Sequence, residues 1–338
     1  MSENRVSDGQ TRFLPYWWEA AEPKSVPELT VAERCDVAIV GAGYTGLSAA
    51  ITLARAGRSV QIFDRQRPGE GASSRNGGIT SGNIRIGLSA AIAKYGEVKG
   101  LALYREGVEA RKDLQRFIHE EKLNCDFVLS GRFTGCISDD HYEIQARETD
   151  LLNRHLNIGG YVVPKEEQHK ETGSAMYRGG VVRPDIGMLH PGKFVQEMIR
   201  VAVEAGATLH GETPVTGFER VSDGYVIHTT RGKTVARDLI FAANGYIDGA
   251  NKWLRRRIVP IPSCMIATEP LSPNLMKTLM PAGRGMGETR KLYRYFRPSP
   301  DGRRILLGGR SSMFGRSEAE SSAHLLKGLI EMYPELSD

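Results

Sequence analysis

An α/β fold is what this 338-residue sequence predicts, doubly wound in one part and built on an inserted mixed or antiparallel sheet in the other. Three observations predict it. The stretch "CDVAIVGAGYTGLSAAITLARAGRSVQIFD", residues 35–64, reads as an apolar strand, a glycine turn, a helical run and a second strand within about thirty residues. "HPGKFVQEMIRVAVEAGATLHGETPV" supplies another helix-to-strand unit far downstream. Elsewhere, short strand-like pieces punctuated by Gly and Pro replace the β-α rhythm.

Taken in order, residues 1–30 read as an irregular arm, Pro-punctuated around "LPYWWEAAEP". Its adjacent Tyr16, Trp17 and Trp18 need an apolar surface, expected on the body of the protein. Val37 to Val40 makes a buried strand. A helix follows to about Ala56, with Gly57 as its C-terminal stop, and Ser59 to Phe63 forms the second strand. "RQRPGEGASSRNGG" is a polar loop. From about Ala90 to Lys122 the pattern is helical, with Leu101, Tyr104, Val108, Leu114, Phe117 and Ile118 on one stripe. Asp126 to about Arg183 alternates short strands with a charged helix near 141–155. The helix after His190 carries Phe194, Met198, Val201, Ala202 and Ala205 on one face. "GYVIHTT" and "TVARDLIFAANG" flank a hairpin turn. "IPSCMIATEPL" and "LYRYFRPSPDGRRILLGG" read as strands, and 320–333 as a closing helix. No internal repeat is visible.

The glycine turn carries the chemistry. Gly41 permits the tight turn, Gly43 leaves room for a pyrophosphate to approach the backbone, and Gly46 lets helix and strand pack closely. The helix starting near Tyr44 aims its free N–H groups and positive dipole end at the phosphates, with Ala42 and Thr45 completing the turn. Asp64 ends the second strand, 18 residues after Gly46, where a carboxylate can accept ribose hydroxyls. Nicotinamide and flavin enzymes both use this turn. A nicotinamide domain would continue with further β-α units. Here Arg65 leads into a loop instead, in which Ser73, Ser74, Asn76 and the backbone at Gly77 and Gly78 offer donors to an extended cofactor, and Arg75 can meet a phosphate. Placed directly after the fingerprint, that loop favours flavin.

The bulk numbers exclude several classes. Net charge is +5, from 45 Lys+Arg and 40 Asp+Glu, and the densest basic run is Arg255-Arg256-Arg257. So short a run reads as a solvated helix end, and no nucleic-acid partner is expected. The four cysteines show no C-x-x-C spacing and no flanking His cluster, so neither a disulfide framework nor a metal site is expected. No run of 18 apolar residues marks a membrane span, and "MSENRVSDGQTRF" lacks the apolar core of a secretory signal. The default expectation is a cytoplasmic protein; its oligomeric state is not legible.

"CDVAIVGAGYTGLSAAITLARAGRSVQIFDRQ…GASSRNGG" closely resembles the FAD-dependent D-amino-acid oxidase-like (DAO) superfamily. It looks most like the bacterial branch that holds gamma-glutamylputrescine oxidases and related amine and glycine/sarcosine oxidases. "GETPVTGFE" resembles the segment whose backbone meets adenine at a valine, here Val215. "LIFAANGY" resembles the strand-turn over the diphosphate, at Ala243, Asn244 and Gly245, with Asn244 where a Thr is common. "ATEPL" and "YFRPSPDGRRILLGGR" resemble substrate-domain strands. The match runs from about residue 13 to the end. Family members continue past "LIEMYPELSD" with a segment that packs on the flavin ring, so the expectation is a truncated chain, or a gene product that has lost its last segment, with an incomplete active site either way.

The resemblance implies non-catalytic parts and chemistry together. It divides the chain into the arm (1–30), a first FAD-binding part (31–88), a helix and first substrate part (89–185), a second FAD-binding part (186–255), a second substrate part (256–315) and a closing helix (316–338) that completes the FAD domain. It implies FAD as cofactor, a small-molecule amine or amino acid as substrate, hydride transfer from the C–N carbon to flavin N5, and hydrolysis of the resulting imine. That chemistry asks for orientation and a dry pocket more than an acid–base dyad, and no catalytic residue is assigned. On "KLYRYFRPS", alternation sets Leu292, Arg294 and Phe296 on one face and Tyr293, Tyr295 and Arg297 on the other. Tyr293, Tyr295 and Arg294 are the candidate substrate contacts, against sheet packing as the plainer reading. His190 in "GMLHPGKF" reads as a solvated loop histidine beside a family segment near the ring. No motif marks covalent flavin attachment. A non-catalytic FAD-binding fragment and a nicotinamide dehydrogenase stay open as alternatives.

Overall fold

A computed structural model describes residues 11–82, 84–310 and 317–337. The first ten residues of the expected arm, and 311–316 at the expected junction of substrate part and closing helix, lie outside the described residues. The chain begins with a one-turn helix α1 (Trp18–Ala21), then β1 (Arg34–Val40), α2 (Tyr44–Arg55) and β2 (Val60–Phe63). Next come β3 (Ile79–Thr80), α3 (Leu88–Tyr95), α4 (Glu97–Glu120), β4 (Arg132–Gly135), α5 (Asp139–Leu156), β5 (Tyr161–Val163), β6 (Gly180–Arg183) and β7 (Gly187–Met188). The middle holds α6 (Pro191–Glu204), β8 (Thr208–His210), β9 (Val215–Val221), β10 (Gly224–Thr229), β11 (Gly232–Phe241) and α7 (Lys252–Arg255). The last stretch holds β12 (Cys264–Ala267), α8 (Pro273–Leu279), β13 (Gly285–Glu288), β14 (Arg294–Pro298), β15 (Ile305–Gly309) and α9 (Glu318–Met332).

Two compact units result. One is built from Leu14–Asn76 and Pro191–Ile261. Its six-stranded sheet has the order β8-β2-β1-β11-β10-β9, parallel from β8 to β11 and antiparallel through β10 and β9. The near-continuous apolar runs of β1 and β2 suit strands buried on both faces, and Ala38, Ile39, Ile62 and Phe63 are all buried. α2 and α6 pack against each other, and α6 buries Phe194, Met198, Val201 and Ala202, four of the five residues expected on its apolar face.

The other unit is built mainly from Gly77–His190 and Pro262–Asp338. Its seven-stranded sheet has the order β12-β15-β14-β13-β4-β6-β5, mixed because β13 and β4 run parallel while the remaining pairs are antiparallel. One face carries Phe133, Val182, Met286, Phe296 and Leu307 against Leu325, Leu329 and Met332 of α9. The closing helix therefore completes this sheet's core, a correction to its expected place in the FAD-binding part. Its apolar stripe matches the face of β12 and β15, and Ser317 with Glu320 forms a capping box at its start.

Three further departures have local causes. The helix expected over 90–122 is two helices, broken where Gly96 takes φ +80°. The strand "GMGE" and the short helix α8 were not anticipated: glycine weakens a strand signal, and seven residues are too few to show a helical period.

Candidate active site

In the first unit, each fingerprint glycine has its own steric reason. Gly41 leaves β1 with φ +108°, its N–H donates to Phe63 O at 2.8 Å, and a Cβ there would lie 2.7 Å from Ala242 O. A Cβ on Gly46 would run into the carbonyl oxygen of Gly41, so helix and turn touch backbone to backbone. A Cβ on Gly43 would lie 2.8 Å from Ser73 Oγ. The hydroxyl of Ser73 also accepts the N–H of Tyr44 at 3.1 Å, at the first turn of α2. Such a helix N-terminus, with no side-chain cap from its own N-cap residue and facing a hydroxyl that can still donate, has the chemistry to receive an anionic oxygen.

Asp64 has a structural task of its own. Its Oδ2 accepts the N–H of Ala42 at 2.8 Å and its Oδ1 that of Gln66 at 2.9 Å, so the carboxylate ties the end of β2 to the glycine turn. Burial pushes its carboxyl above the ordinary range, while those two N–H groups pull it back. A carboxylate has about four lone-pair sites, which leaves acceptor capacity for hydroxyls.

The loop after Asp64 is built by residues the sequence reading undervalued. Asn76 Nδ2 donates to Ala72 O (3.2 Å), Ser73 O (3.0 Å) and Tyr44 Oη (3.2 Å). Trp17 Nε1 donates to Asn76 O at 2.9 Å, and Trp18 Nε1 to the buried Ser74 Oγ at 3.1 Å. The arm's indoles thus hold the Ser-Ser-Arg-Asn turn in shape. The one signal for them was three adjacent aromatics outside any helical or strand period. Arg75 is engaged with its own loop and the arm: its Nε donates to Glu70 O at 2.8 Å and its guanidinium lies 4.8 Å from the Trp18 ring. Arg65 lies over Tyr246 at 5.7 Å, with Asp248 at 4.0 Å.

Ala243, Asn244 and Gly245 follow the carboxyl end of β11, beside the glycine turn at the end of its parallel neighbour β1. Asn244 takes φ +50°, a left-handed conformation that Asn tolerates better than a β-branched residue would, and Tyr246 N–H closes the turn on Ala243 O at 2.9 Å. Thr213 N–H donates to Asp64 O at 2.7 Å, which carries the chain to buried Val215 at the start of β9. Gly41 to Gly46, Asp64, Ser73 and 243–245 therefore gather at the carboxyl ends of parallel strands, where open α/β sheets bind ligands.

In the second unit, Gly77 and Gly78 present carbonyls to one arginine. Arg297, 2% exposed, donates through its Nη1 to Leu189 O (2.6 Å), Gly78 O (3.3 Å) and Gly77 O (3.4 Å). A Cβ on Gly77 would lie 2.6 Å from the Tyr295 ring. The Tyr293 and Tyr295 rings stack at 6.0 Å on one face of the sheet. Arg294 does not join them, which corrects its grouping as a substrate contact. Strand alternation sends it to the opposite face, where it pairs with Glu331 of α9 at 3.1 Å. The base beside Tyr293 is instead Arg132 of β4, which sequence could not reveal because a parallel pairing brings it there; its Nη2 donates to Tyr293 Oη. His190 is buried rather than solvated, and its N–H donates to Cys125 O at 2.7 Å.

Among the described residues no helix is long and apolar enough to cross a membrane, and no group of three His, Cys, Asp or Glu stands where it could hold a metal.

Residues 36–338 match the family model described as DAO, FAD dependent oxidoreductase. A probable oxidoreductase OrdL of Rhizobium meliloti (strain 1021) is 32% identical over 328 residues, 95% of this chain and 75% of that protein. Gamma-glutamylputrescine oxidoreductase of Escherichia coli (strain K12) is 26% identical over 96% of this chain and 76% of its own. Among solved structures, glycine oxidase from Geobacillus kaustophilus superposes with a TM-score of 0.71 at 20% identity, covering 90% of this chain and 79% of that one. That likeness shows a shared fold. The family match decides the cofactor for FAD and sets the nicotinamide alternative aside.

Proposed function

We propose that this chain, which belongs to the DAO family of FAD-dependent oxidoreductases, oxidises the C–N bond of a small amine or amino acid to an imine that water then hydrolyses. The observation that carries the cofactor half is the cradle at Gly43, Tyr44 and Ser73, where the missing Cβ, a helix N-terminus and a hydroxyl converge. Gly41 to Gly46, Ser73 and Asn244 would hold the diphosphate, and Asp64 the ribose. When bound, FAD accepts the hydride that the substrate carbon gives up.

The substrate half is supported by the names of two relatives, a gamma-glutamylputrescine oxidoreductase and a glycine oxidase. In the step, the C–H bond breaks with its electron pair leaving as hydride while the nitrogen lone pair forms C=N. Water then adds to carbon and the C–N bond breaks, leaving a carbonyl compound and ammonia or a smaller amine. Neither part requires a charged base on the protein, provided the amine arrives neutral. Tyr295, whose hydroxyl burial keeps protonated, offers a hydrogen-bond donor and a flat wall to orient such a substrate.

The test is an anaerobic single turnover with an amine deuterated at the carbon bearing nitrogen. Slower flavin reduction than with the protiated amine, and one carbonyl product per flavin reduced, is the expected result. Reduction without carbonyl formation would refute the proposed reaction.

A further inference from the structure

In the first unit, the basic run noted in the sequence stands among exposed apolar side chains. After the turn at 243–245 the chain makes the one-turn helix α7 and runs on to Ile261. Residues 249–261 carry Lys252, Arg255, Arg256 and Arg257 and no Asp or Glu. All four basic residues are exposed, and none pairs with a carboxylate among the described residues. Trp253 is 61% exposed, Val259 81% and Ile261 45%. A solvated helix end accounts for the arginines alone. It does not account for an indole and two β-branched aliphatic side chains held in water beside them.

The segment is held in shape. Asp248 Oδ1 accepts the N–H of Ala250 at 2.9 Å, and Asn251 Oδ1 accepts that of Leu254 at 3.0 Å, which starts α7. Leu254 and Ile258, four residues apart, are half-buried, while Lys252, Trp253 and the three arginines are left in solvent. Arg257 lies over the Trp253 ring at 3.9 Å, and its Nη1 donates to Trp253 O at 3.0 Å. A guanidinium stacked on an indole can enter a lipid headgroup layer together with it, the charge near phosphate and the ring at the acyl boundary. The segment also folds back on the turn after β11: a Cβ on Gly245 would lie 3.6 Å from that of Pro260.

We infer that residues 252–261 dock the protein on an anionic lipid surface, with Lys252 and Arg255 to Arg257 on the headgroups and Trp253, Val259 and Ile261 dipping below them. The inference does not depend on the proposed reaction. Charge and apolar area sit in one short segment, the pairing that holds proteins on anionic bilayers. Tryptophan is the side chain most at home at that depth, with an apolar body and a polar N–H. A nucleic-acid strand would use the arginines and the indole but has nothing to offer Val259 and Ile261. A second copy would bring the same positive charges face to face. Such docking is peripheral and asks for no spanning helix.

The experiment is co-sedimentation of the FAD-reconstituted chain with vesicles of phosphatidylcholine alone and of phosphatidylcholine with about one third phosphatidylglycerol. Two double variants accompany it, Arg255→Gln/Arg256→Gln and Val259→Ser/Ile261→Ser, with melting temperatures as the check on folding. Binding is expected to the anionic vesicles only, and to be released by about 0.5 M salt. The arginine pair should matter by about tenfold or more, since each basic residue near such a surface is worth roughly fivefold in partitioning. The aliphatic pair should matter by about threefold or more. Should a double variant fail to fold, its single substitutions carry the same reading. Binding to neither vesicle, equal binding to both, or binding that the aliphatic variant keeps in full would overturn the inference. So would a single-stranded oligonucleotide that displaces the vesicles and binds the aliphatic variant as well as the native chain, or a vesicle-free dimer that the aliphatic variant dissolves.

Discussion

Ser73 Oγ lies 3.1 Å from the backbone nitrogen of Tyr44 and accepts an N–H at the first turn of α2. The same oxygen is 2.8 Å from the place a side chain on Gly43 would fill. One hydroxyl therefore links the loop after the second strand to the glycine turn after the first. It also crowds the space that a side chain at the middle glycine would take.

Gly43→Ala should weaken FAD binding by about tenfold or more, about 1.4 kcal/mol, with little change in melting temperature, because a hydroxyl can rotate away but the cradle then narrows. Gly46→Ala should behave differently. Its Cβ meets the Gly41 carbonyl, a backbone atom that cannot move alone, so about 3 kcal/mol or more of stability should be lost. FAD fluorescence titration and thermal unfolding on both variants separate the two effects.

Asp64→Asn should cost stability even without cofactor. An amide can accept one of the N–H groups of Ala42 and Gln66 but turns its NH2 on the other, a loss of about 1–3 kcal/mol. A variant as stable as the native apoprotein would mean that the carboxylate serves the ribose alone.

Trp17→Ala should be among the most damaging changes outside the glycine turn. Trp17 is 2% exposed and its indole N–H holds Asn76 O, so about 3–5 kcal/mol is at stake. FAD affinity should fall with it, since Asn76 shapes the Ser73 turn. Thermal unfolding with and without FAD checks both.

The pH dependence of stability should carry the mark of His210. It is buried, stacked on Phe63 at 4.9 Å and bonded through Nε2 to Gln61 Oε1 at 3.0 Å. Burial first, then the nearby charge of Arg231, lowers its pKa below the ordinary 6.5. A lowered value means the unfolded chain takes the proton first. The stability His210 contributes is therefore present above pH 6.5 and lost as pH falls through its folded value. Urea unfolding from pH 7.5 to 5 should show a flatter profile for His210→Gln than for the native chain.

Much of the first unit was legible because its signals are local. Gly41, Gly43, Gly46 and Asp64 sit within thirty residues, and the sterics that demand them act over a single turn and two strands. The Trp17 and Trp18 anchors were not legible, since an arm without period reveals nothing about where it docks. The second unit was harder for a physical reason: its sheet pairs β4 with β13 across about 150 residues, so the meeting of Arg132 with Tyr293 leaves no local trace. Alternation did predict that Arg294 and Tyr295 part company, yet composition alone tempted a grouping of base and aromatics. Glycine-rich "GMGE" hid a strand for the same reason that it matters, because its missing side chains make room for neighbours.

The most direct test of the central claim is the visible absorption spectrum of the FAD-reconstituted chain after desalting, before and after anaerobic addition of an amine panel that includes glycine and putrescine derivatives. The account predicts flavin bands that survive desalting and bleach with at least one amine. A desalted protein that keeps its flavin but bleaches with none of them, while dithionite bleaches it fully, would contradict the assignment as an amine-oxidising enzyme.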